Sequence, residues 1–428
     1  MEFNKQEHML NRNKFYGQNP DFFPNLNGLE YALYDIMTIT KEKHKEIKEA
    51  TEKIWNIYKI FYNRVELMTE QELMSLGFDE RIIPFIKMGC EPVSFLARLD
   101  LIVSDNGDIK LMENNSDTPF FEYECFKMNG IVSKHFGYEN PNKYMERDLI
   151  NYYMSEIKYM AKAEERELSD IKVVISGHQL SEEEVKLIKY IQKELAPYIN
   201  IEYVPILNLQ LAENDFELND RMIYRGLYTP ENYEYIDILI RLGHPIDFIL
   251  KDKSSDGFNI GIELLKLVDE NLITILNPPE AYAMQPKSIM AYIWENKNNR
   301  TIFDNLDETD IDKYFLPTYF KKDWFLENNV PFIEKAIIGR EGDTIKIYDG
   351  QGNVIKKSMS NSYNSSGYVY QKYVELPDQE ATTVNGKVKG KIIFGSFVVD
   401  DEASAIGVRF GSEITEADSY WLPLGLEK

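Results

Sequence analysis

Apolar residues recur at helical spacing in the first third of the chain. Between residues 47 and 65 they lie three or four positions apart, and charged residues occupy most of the other positions. That period predicts an amphipathic helix whose apolar face packs into the core. Thr69 and Glu72 then form a capping-box pattern that begins a further short helix. We therefore expect residues 1–90 to form a helical N-terminal region.

The middle of the chain, residues 91–280, mixes helical and strand patterns. Residues 134–166 have the period of an amphipathic helix. An apolar run over 171–176 is typical of a buried strand, and a helical pattern over 181–195 and a second strand over 201–206 follow it. These elements predict a βαβ unit. The turn after its first strand lacks the glycine fingerprint of a dinucleotide site.

The last part, residues 281–428, changes to short alternating strands. We expect these strands at 332–338, 344–348, 368–374, 391–399 and 405–410. Loops rich in Ser, Asn and Gly separate them, notably over 349–367 and 378–390. The three parts together predict a mixed α/β (α+β) fold whose last part is an antiparallel unit.

A hairpin is the strongest local prediction. Two short apolar runs flank Asn106-Gly107, a dipeptide that favours a two-residue type I′ turn because it tolerates positive φ. With these two residues as the loop, Asp105 lies opposite Asp108, and the register can be counted outward from there.

That register brings four polar side chains onto one face of the hairpin. Asp100 lies opposite Glu113, and Arg98 lies opposite Asn115. Two opposed carboxylates repel each other unless a cation lies between them. Carboxylate and amide oxygens are the ligands that Mg²⁺ prefers. The pattern is consistent with a magnesium site, and equally with a solvated polar face.

Further candidates lie closer to the C-terminus. Lys335 precedes a Gly-Arg-Glu-Gly sequence at 339–342, which could cover a phosphate or simply close a hairpin. Lys287 stands alone before an apolar run and reads as a surface lysine by default. Arg409 occupies an apolar strand, where a guanidinium needs a carboxylate or a phosphate. Gln371 could bind either backbone or a ligand.

Composition narrows the function classes. The formal charge of −23 argues against a broad nucleic-acid surface. Cys90 and Cys125 form neither a metal spacing nor a disulfide framework, and we expect both to be reduced. There is no HExxH zinc motif and no GxSxG serine elbow. Without a visible secretory signal or an apolar run long enough for a bilayer, we expect a cytoplasmic enzyme or binding protein.

Taken together, these pieces resemble the glutathionylspermidine synthase family, in its synthetase portion, over roughly residues 20 to 425. The matching segments are FLARLDLIV (95–103), KLMENNSDTPFFEYE (110–124), IDILIRLGHP (236–245), ITILNPPEAYAMQPKSIMAYIWE (273–295), YFLPTYF (314–320), FIEKAIIGREGDTI (332–345), GYVYQKYVELP (367–377) and FGSFVVDDEASAIGVRFGSEITEADSYWLP (394–423).

The resemblance implies an ATP-grasp-like ligase fold in permuted order, with the metal-binding strands ahead of the nucleotide-binding lysines. In this family ATP phosphorylates a peptide carboxylate, such as that of glutathione, and an amine such as spermidine attacks the acyl phosphate. The implied cofactors are ATP and Mg²⁺, and the implied partners are small molecules. The family's N-terminal amidase has no counterpart here, so amide hydrolysis is not expected.

The resemblance also assigns roles to individual residues. The implied magnesium ligands are Asp100, Glu113 and Asn115. The implied catalytic arginines are Arg98 and Arg409. The implied ATP-binding residues are Arg98, Asp100, Lys287, Lys335, Gly339, Arg340, Gly342, Gln371, Lys372, Tyr373, Val374 and Arg409. The implied substrate residues are Ser116, Asp117, Thr118, Glu182 and Glu183.

Three departures from the family affect substrate identity. Phe397 and Phe410 stand where a tryptophan and an acidic residue are usual, and residues 378–390 read as an insertion. A ligase of the same chemistry acting on another peptide, amino acid or amine therefore stays open as an alternative. So does a non-catalytic ATP-binding interaction protein.

Overall fold

The computed structural model describes residues 3–89, 94, 96–179, 181–303, 308–340, 342–363, 367–414 and 419–428, except the side chains of 308 and 309. Cys90 and Glu341 of the glycine loop lie outside the described residues.

The α-helices are α1 Lys5–Tyr16, α2 Lys41–Val65, α3 Glu70–Ser75, α4 Ile83–Ile86, α5 Asn129–Phe136, α6 Met145–Ala163, α7 Glu182–Leu195, α8 Ile246–Ile249, α9 Ile260–Asp269, α10 Ser288–Glu295, α11 Glu308–Tyr314 and α12 Asp323–Glu327. A π-helical turn spans Tyr123–Met128.

The strands are β1 Asn25–Leu26, β2 Leu29–Glu30, β3 Met37–Ile39, β4 Leu96–Val103, β5 Ile109–Asn115, β6 Val173–Ser176, β7 Ile201–Tyr203, β8 Gln210–Ala212, β9 Phe216–Leu218, β10 Arg221–Ile223, β11 Gly226–Tyr228, β12 Ile238–Arg241, β13 Thr274–Leu276, β14 Thr318–Tyr319, β15 Phe332–Ala336, β16 Lys346–Tyr348, β17 Val354–Lys357, β18 Tyr368–Lys372, β19 Asp378–Thr383, β20 Gly386–Val399, β21 Glu402–Gly411, β22 Tyr420–Leu422 and β23 Leu424–Leu426.

The N-terminal region is mainly helical, as predicted. The apolar face of α2 is buried along its 25 residues, and the threonine cap and reciprocal glutamate of α3 form the predicted capping box. Thr51 on α2 contacts Ser396 on β20 through their hydroxyls at 2.7 Å. This long helix therefore covers the sheet that carries the candidate site. The short strands β1 to β3 also belong to this region and were not predicted.

The predicted βαβ unit is confirmed as β6–α7–β7 within a parallel sheet of order β13-β12-β6-β7. Ser181 caps α7 by accepting a hydrogen bond from the Glu184 amide. The Glu184 carboxylate accepts a hydrogen bond from the His178 amide. The single helix predicted over 134–166 is wrong. Gly137, with φ of 78°, ends α5, and α6 begins at Met145.

Two further sheets are antiparallel. One has the order β14-β18-β15-β16-β17, and the other runs β22-β21-β20-β4-β5 with β19 added on β20. The second sheet joins strands from the predicted middle and C-terminal parts of the chain. The division at residues 90 and 280 stays a prediction. No helix among the described residues is long and apolar enough to cross a membrane.

Of the two loops predicted near the C-terminus, the first contains one short strand and the second is mainly strand. Residues 354–357 form β17 inside the first predicted loop. The second prediction, a loop over 378–390, is wrong, because β19 pairs with the start of β20 from Asp378↔Lys391 to Thr383↔Gly386. Alternate side chains of β19, Ala381 and Thr383, are buried, which gives this polar sequence the period of a half-buried strand.

Candidate active site

The central hairpin, β4–β5, has the predicted partners but a different turn. Only Gly107 of the two expected turn residues has positive φ, 93°, and its amide donates to the Ser104 carbonyl at 2.9 Å. The Ser104 amide donates to Asp108 at 2.9 Å, so the loop has three residues and the predicted type I′ turn is wrong. Asp105 is therefore not paired with Asp108.

A bulge corrects the register further along the hairpin. Leu101 pairs with Leu111, and the pairing then shifts by one residue at Met112. Beyond the bulge Asp100 pairs with Glu113 and Arg98 pairs with Asn115, as predicted. The extra residue in the loop and the extra residue in the bulge compensate each other. The predicted pairs are therefore confirmed although the predicted turn is wrong.

Arg98 and Asp100 form a buried ion pair on this face. Arg98 Nε donates to Asp100 Oδ1 at 2.7 Å, and Nη2 donates to Oδ2 at 3.1 Å. The remaining guanidinium nitrogen, Nη1, donates to the Phe120 carbonyl at 2.5 Å. Gly395 lies opposite Asp100, and a Cβ there would lie 3.0 Å from Arg98 Cδ. A glycine is required at this point because the arginine crosses directly over the strand.

Two lysines approach the other carboxylate of the hairpin. Lys287, just before α10, places Nζ 3.1 Å from Glu113 Oε2 and donates to the Gly339 carbonyl at 2.7 Å. Lys335 on β15 donates to Gln371 Oε1 at 2.8 Å and to the Met112 carbonyl at 3.1 Å. Both lysines are buried, so the default reading of Lys287 as a surface residue is wrong.

The charges explain the pKa shifts at this end of the site. Burial raises the pKa of Glu113, but the charges of Lys287 and Lys335 outweigh burial and bring it below the usual range. Burial lowers the pKa of Lys335 to about 8, against the opposing charge of Glu113. An anionic ligand such as a phosphate would favour the charged form of this lysine.

The oxygen donors of the hairpin fit a hard cation. Asp100, Glu113 and Asn115 share one face, and the Asn115 amide nitrogen lies 3.4 Å from Asp100 Oδ2. Rotating this amide would turn its oxygen toward the carboxylates. Among the described residues, the hairpin included, no group of three or more His, Cys, Asp or Glu side chains could hold a metal ion. The magnesium ligands stay a prediction, with Asn115 as the third donor.

The first two residues of the glycine loop, Gly339 and Arg340, both have partners outside the loop. Gly339 accepts the hydrogen bond from Lys287, and Arg340 forms a bidentate ion pair with Asp247 on α8, with N–O distances of 2.5 and 3.2 Å. The Arg340 guanidinium also lies 5.1 Å from the centre of the Phe248 ring. Gly342 has φ of 69°, a conformation that favours glycine.

Four consecutive residues implied to bind ATP, 371–374, lie at the end of β18 and directly after it. Gln371 is buried and contacts Lys335, whereas Lys372 is exposed. Tyr373 donates its hydroxyl to Glu413 at 2.7 Å, and Val374 is half-buried. Gln371 is thus the one of the four that contacts another predicted ATP-binding side chain.

Arg409 lies on β21 opposite Ile393 and is half-buried. Its charge lowers the pKa of the buried Tyr31, which the burial of that residue otherwise raises. Arg409 therefore points toward the segment that follows Phe120, on the same side as Arg98.

The predicted substrate residues have unequal surroundings. Ser116 is fully buried and donates its hydroxyl to the Ala281 carbonyl at 2.7 Å. Asp117 is held by buried Arg241 at 2.5 Å and by the Ile246 amide at 2.8 Å. Thr118 is half-buried. Ser116 and Asp117 are thus already committed to structural contacts, and their substrate role stays a prediction.

The other predicted pair opens α7. Glu182 is exposed and Glu183 is half-buried. Burial raises the pKa of Glu124, and the charge of Glu183 raises it further. The Glu183 carboxylate, unlike that of Glu182, therefore lies beside the segment after Phe120.

That segment contains two carboxylates that the sequence analysis missed. Glu122 and Glu124 are each only 1% exposed, and Tyr31 donates its hydroxyl to Glu124 at 2.5 Å. The available signal was two acidic residues inside the apolar run PFFEYECF. Charged residues are almost never fully buried without a functional or ionic partner.

Comparison with known proteins agrees with this architecture. A glutathione synthetase-like effector of Globodera pallida, solved in its apoform, is similar with a TM-score of 0.62 and 10% identity, over 100% of this chain and 98% of that one. This likeness establishes the mixed α/β ATP-grasp-type fold. The permuted order stays a prediction.

Similarity at the sequence level identifies the family. A Haemophilus influenzae protein named "Putative acid--amine ligase" is 27% identical over 201 residues, which are 46% of this chain and 45% of that protein. The match thus spans about half the length of the curated relative. The model of the glutathionylspermidine synthase preATP-grasp family matches residues 18–427. The chain therefore belongs to the glutathionylspermidine synthase preATP-grasp family.

Proposed function

We propose that this protein is an ATP- and Mg²⁺-dependent ligase that joins a carboxylate to an amine through an acyl phosphate. The observation that carries the proposal is the convergence of Arg98, Asp100 and Glu113 on one hairpin face with Lys287 and Lys335 directed at it. Phosphoryl transfer requires positioning and charge neutralisation more than covalent participation by the protein. The name of the Haemophilus influenzae relative supports the same reaction class.

Each charged group has a distinct part in this reaction. Lys287 and Lys335 bind the phosphates of ATP, and Arg98 and Arg409 stabilise the charge on the transferring phosphoryl and acyl groups. Asp100, Glu113 and Asn115 hold the magnesium ion. When bound, Mg²⁺ neutralises phosphate charge and orients the phosphates for transfer.

The bonds change in two steps. A carboxylate oxygen of the acid takes the γ-phosphoryl group of ATP, and ADP leaves. The amine nitrogen then forms a bond to the acyl carbon, the carbon–oxygen bond to phosphate breaks, and phosphate leaves with that electron pair. Water must be kept out because it would hydrolyse the acyl phosphate. The loop at 339–342, held by Lys287 and by the Arg340–Asp247 pair, serves as the cover.

The family suggests a peptide such as glutathione and a polyamine such as spermidine as substrates. One observation favours a related but different pair. Phe397 and Phe410 stand where a tryptophan and an acidic residue are usual, and both are buried and offer no polar group. The Phe397 ring packs against the Phe126 ring with their centres 5.1 Å apart. The second candidate function is thus the same ligation on another peptide, amino acid or amine.

The test measures ADP release by the full chain with ATP and Mg²⁺. Glutathione and single amino acids are offered as acids, and spermidine, putrescine and hydroxylamine as nucleophiles. We expect ADP only when an acid and a nucleophile are both present, and none after EDTA treatment. ADP release without any acid would indicate an ATPase and contradict the ligase. ATP binding that is unchanged by EDTA and by Asp100→Ala, with no ADP from any pair, would instead support a non-catalytic nucleotide-binding protein.

A further inference from the structure

A buried acidic cluster lies beside Arg98, on the side away from Asp100. It consists of Glu122, Glu124 and Glu183, with Tyr31 as a hydrogen-bond donor to Glu124. Glu122 and Glu124 are almost completely buried, whereas Glu183, at the start of α7, is half-buried and still reaches solvent.

One oxygen of this cluster is unsatisfied. Glu122 Oε2 is buried and has no hydrogen-bond partner among the described residues. Leaving a buried acceptor without a donor costs about 1–3 kcal/mol. Such an atom in a natural site indicates a missing donor. A group rich in N–H bonds would satisfy both this oxygen and the neighbouring carboxylates.

The sheet fixes where the cluster lies relative to the hairpin. Asp100, Gly395 and Gly407 form one row across β4, β20 and β21. A Cβ on Gly407 would lie 2.3 Å from Cys125 Sγ and 2.4 Å from the Phe121 ring, so the segment carrying the two glutamates rests directly on β21. Two strand spacings separate this contact from Asp100, which is about 10 Å.

Arg98 bridges this distance. Its guanidinium lies over Gly395, binds Asp100 on one side and donates to the Phe120 carbonyl on the other. Glu122 follows Phe120 by two residues, and the charge of Arg98 acts on both Glu122 and Glu124. A nucleophile held by the cluster would therefore face the acyl group at Arg98.

We propose that Glu122 and Glu124 form the amine side of the active centre, where Glu124 accepts the proton that the attacking amine must lose and Glu122 binds a remaining N–H. This inference rests on the proposed ligase function. In this step the ammonium ion R–NH₃⁺ gives a proton to the Glu124 carboxylate, which yields the free amine R–NH₂ and the Glu124 carboxylic acid. After attack the nitrogen loses a second proton, which leaves with the phosphate.

The electrostatic environment suits this role. Burial, followed by the charge of Glu183, raises the pKa of Glu124 well above its usual range, and Tyr31 and Arg98 only partly oppose this. Burial likewise raises the pKa of Glu122, with Glu124 and Glu183 adding to it and Arg98 opposing. A carboxylate with an ordinary pKa is a poor base toward an ammonium ion, and proton transfer becomes more favourable as the two pKa values approach each other.

The test compares a charged nucleophile with a neutral one. Hydroxylamine is uncharged at neutral pH and needs neither a cation site nor a proton acceptor, whereas spermidine and putrescine are ammonium ions. With whichever acid gives hydroxamate, we expect Glu124→Gln to lower kcat/KM for the ammonium amines by about 100-fold or more. We expect Glu122→Gln to lower it by about tenfold. Hydroxamate formation should change in neither variant.

Glu280→Gln is the matched control. Glu280 is also a buried glutamate whose pKa burial raises, but no charged side chain contributes to its shift. We expect its substitution to leave both reactions unchanged. Thermal unfolding of each variant checks that the fold is kept, which the near-isosteric glutamine favours.

The outcomes separate this inference from the proposed function. No hydroxamate and no amide from the wild type with any acid would contradict the ligase itself. Hydroxamate without amide from any ammonium amine in the wild type would overturn the proton acceptor alone. A Glu124→Gln variant that loses hydroxamate and amide formation equally would also overturn the proton acceptor. A Glu124→Gln variant that keeps both reactions would do the same.

Discussion

Two pairs of carboxylates flank Arg98, and their electrostatic surroundings are opposite. Asp100 and Glu113 meet cations, namely Arg98 and the two lysines, and the pKa of Glu113 lies below its usual range. Glu122 and Glu124 are neighbours of a third carboxylate and have raised pKa values. Burial raises the pKa of Glu113 as it raises the pKa values of Glu122 and Glu124, so the neighbouring charges make the difference.

The contrast divides the chemistry of the site. Carboxylates that face cations can hold a metal ion and leave lysines for phosphates. Carboxylates whose pKa values are raised by burial are better proton acceptors toward a nucleophile. Titratable groups whose environments push their pKa values apart are a common arrangement for acid and base roles in one active site. In this protein a single arginine separates the two.

The largest effect is expected from breaking the ionised pair. Asp100→Asn leaves the buried Arg98 without its bidentate partner. We expect the rate of ADP release to fall about 1000-fold and the free energy of unfolding to fall by about 3 kcal/mol. Steady-state ADP assays and urea unfolding measure the two effects.

Asp79→Asn provides the control for this substitution. Asp79 and Arg81 are also two residues apart and joined by two hydrogen bonds, but their side chains are exposed. Its removal should cost no more than about 1 kcal/mol and leave the rate unchanged. Wild-type ADP release by Asp100→Asn would show that the hairpin face is not the reaction centre.

The ionised pair could be predicted from the sequence because strand alternation is a local rule. Asp100 and Glu113 alternate with apolar residues, so their common face follows from a period of two once the hairpin is accepted. The turn itself could not be predicted, since a three-residue loop and a two-residue loop share the Asn106-Gly107 signal. The bulge at Met112 could not be predicted either, and the Met112 carbonyl accepts a hydrogen bond from Lys335, 223 residues later on β15.

The pair with raised pKa values was missed because no period marks it. Glu122 and Glu124 lie in an irregular segment that begins with Phe121 at φ of 100° and continues into a π-helical turn. Their burial is created by β21, almost 300 residues later, through the close approach at Gly407. Such long-range contacts are not visible in local patterns.

A third buried carboxylate sharpens the comparison. Glu280 has no charged neighbour acting on it, and burial raises its pKa from 4.5 to about 7. Between these two pH values the unfolded chain loses the proton while the folded chain keeps it. The stabilising contribution present below pH 4.5 is therefore lost as pH rises to about 7, by about 3 kcal/mol.

Urea unfolding at several pH values tests this contribution. We expect Glu280→Gln to lack the decline, so that it gains stability over the wild type as pH rises from 4.5 to 7. Glu52→Gln, at an exposed position of α2, should follow the wild type. Parallel pH curves for Glu280→Gln and the wild type would mean that burial does not raise this pKa.

A smaller effect is expected from removing one cation of the ionised pair. Lys287→Met takes the ion-pair partner from Glu113 and the hydrogen bond from Gly339. We expect ATP to bind about 10- to 150-fold more weakly, since a hydrogen bond to a charged group contributes about 1.5–3 kcal/mol. Calorimetry on the full chain measures this. Lys346→Met, which removes a lysine from the neighbouring strand β16, is the control and should bind ATP as the wild type does.

The smallest effect is expected from a substitution in the hairpin turn that changes no charged residue. Gly107 has φ of 93°, and a Cβ there would meet only the flexible end of Lys43, at 3.8 Å. Gly107→Ala therefore tests backbone conformation without a clash, and we expect it to lower the free energy of unfolding by about 1 kcal/mol. Asp105→Ala, at a loop position without positive φ, should cost less. Because the bulge at Met112 sets the register independently of the loop, ADP release should survive in both variants. Loss of activity in Gly107→Ala would mean that the turn, rather than the bulge, positions Asp100 opposite Glu113.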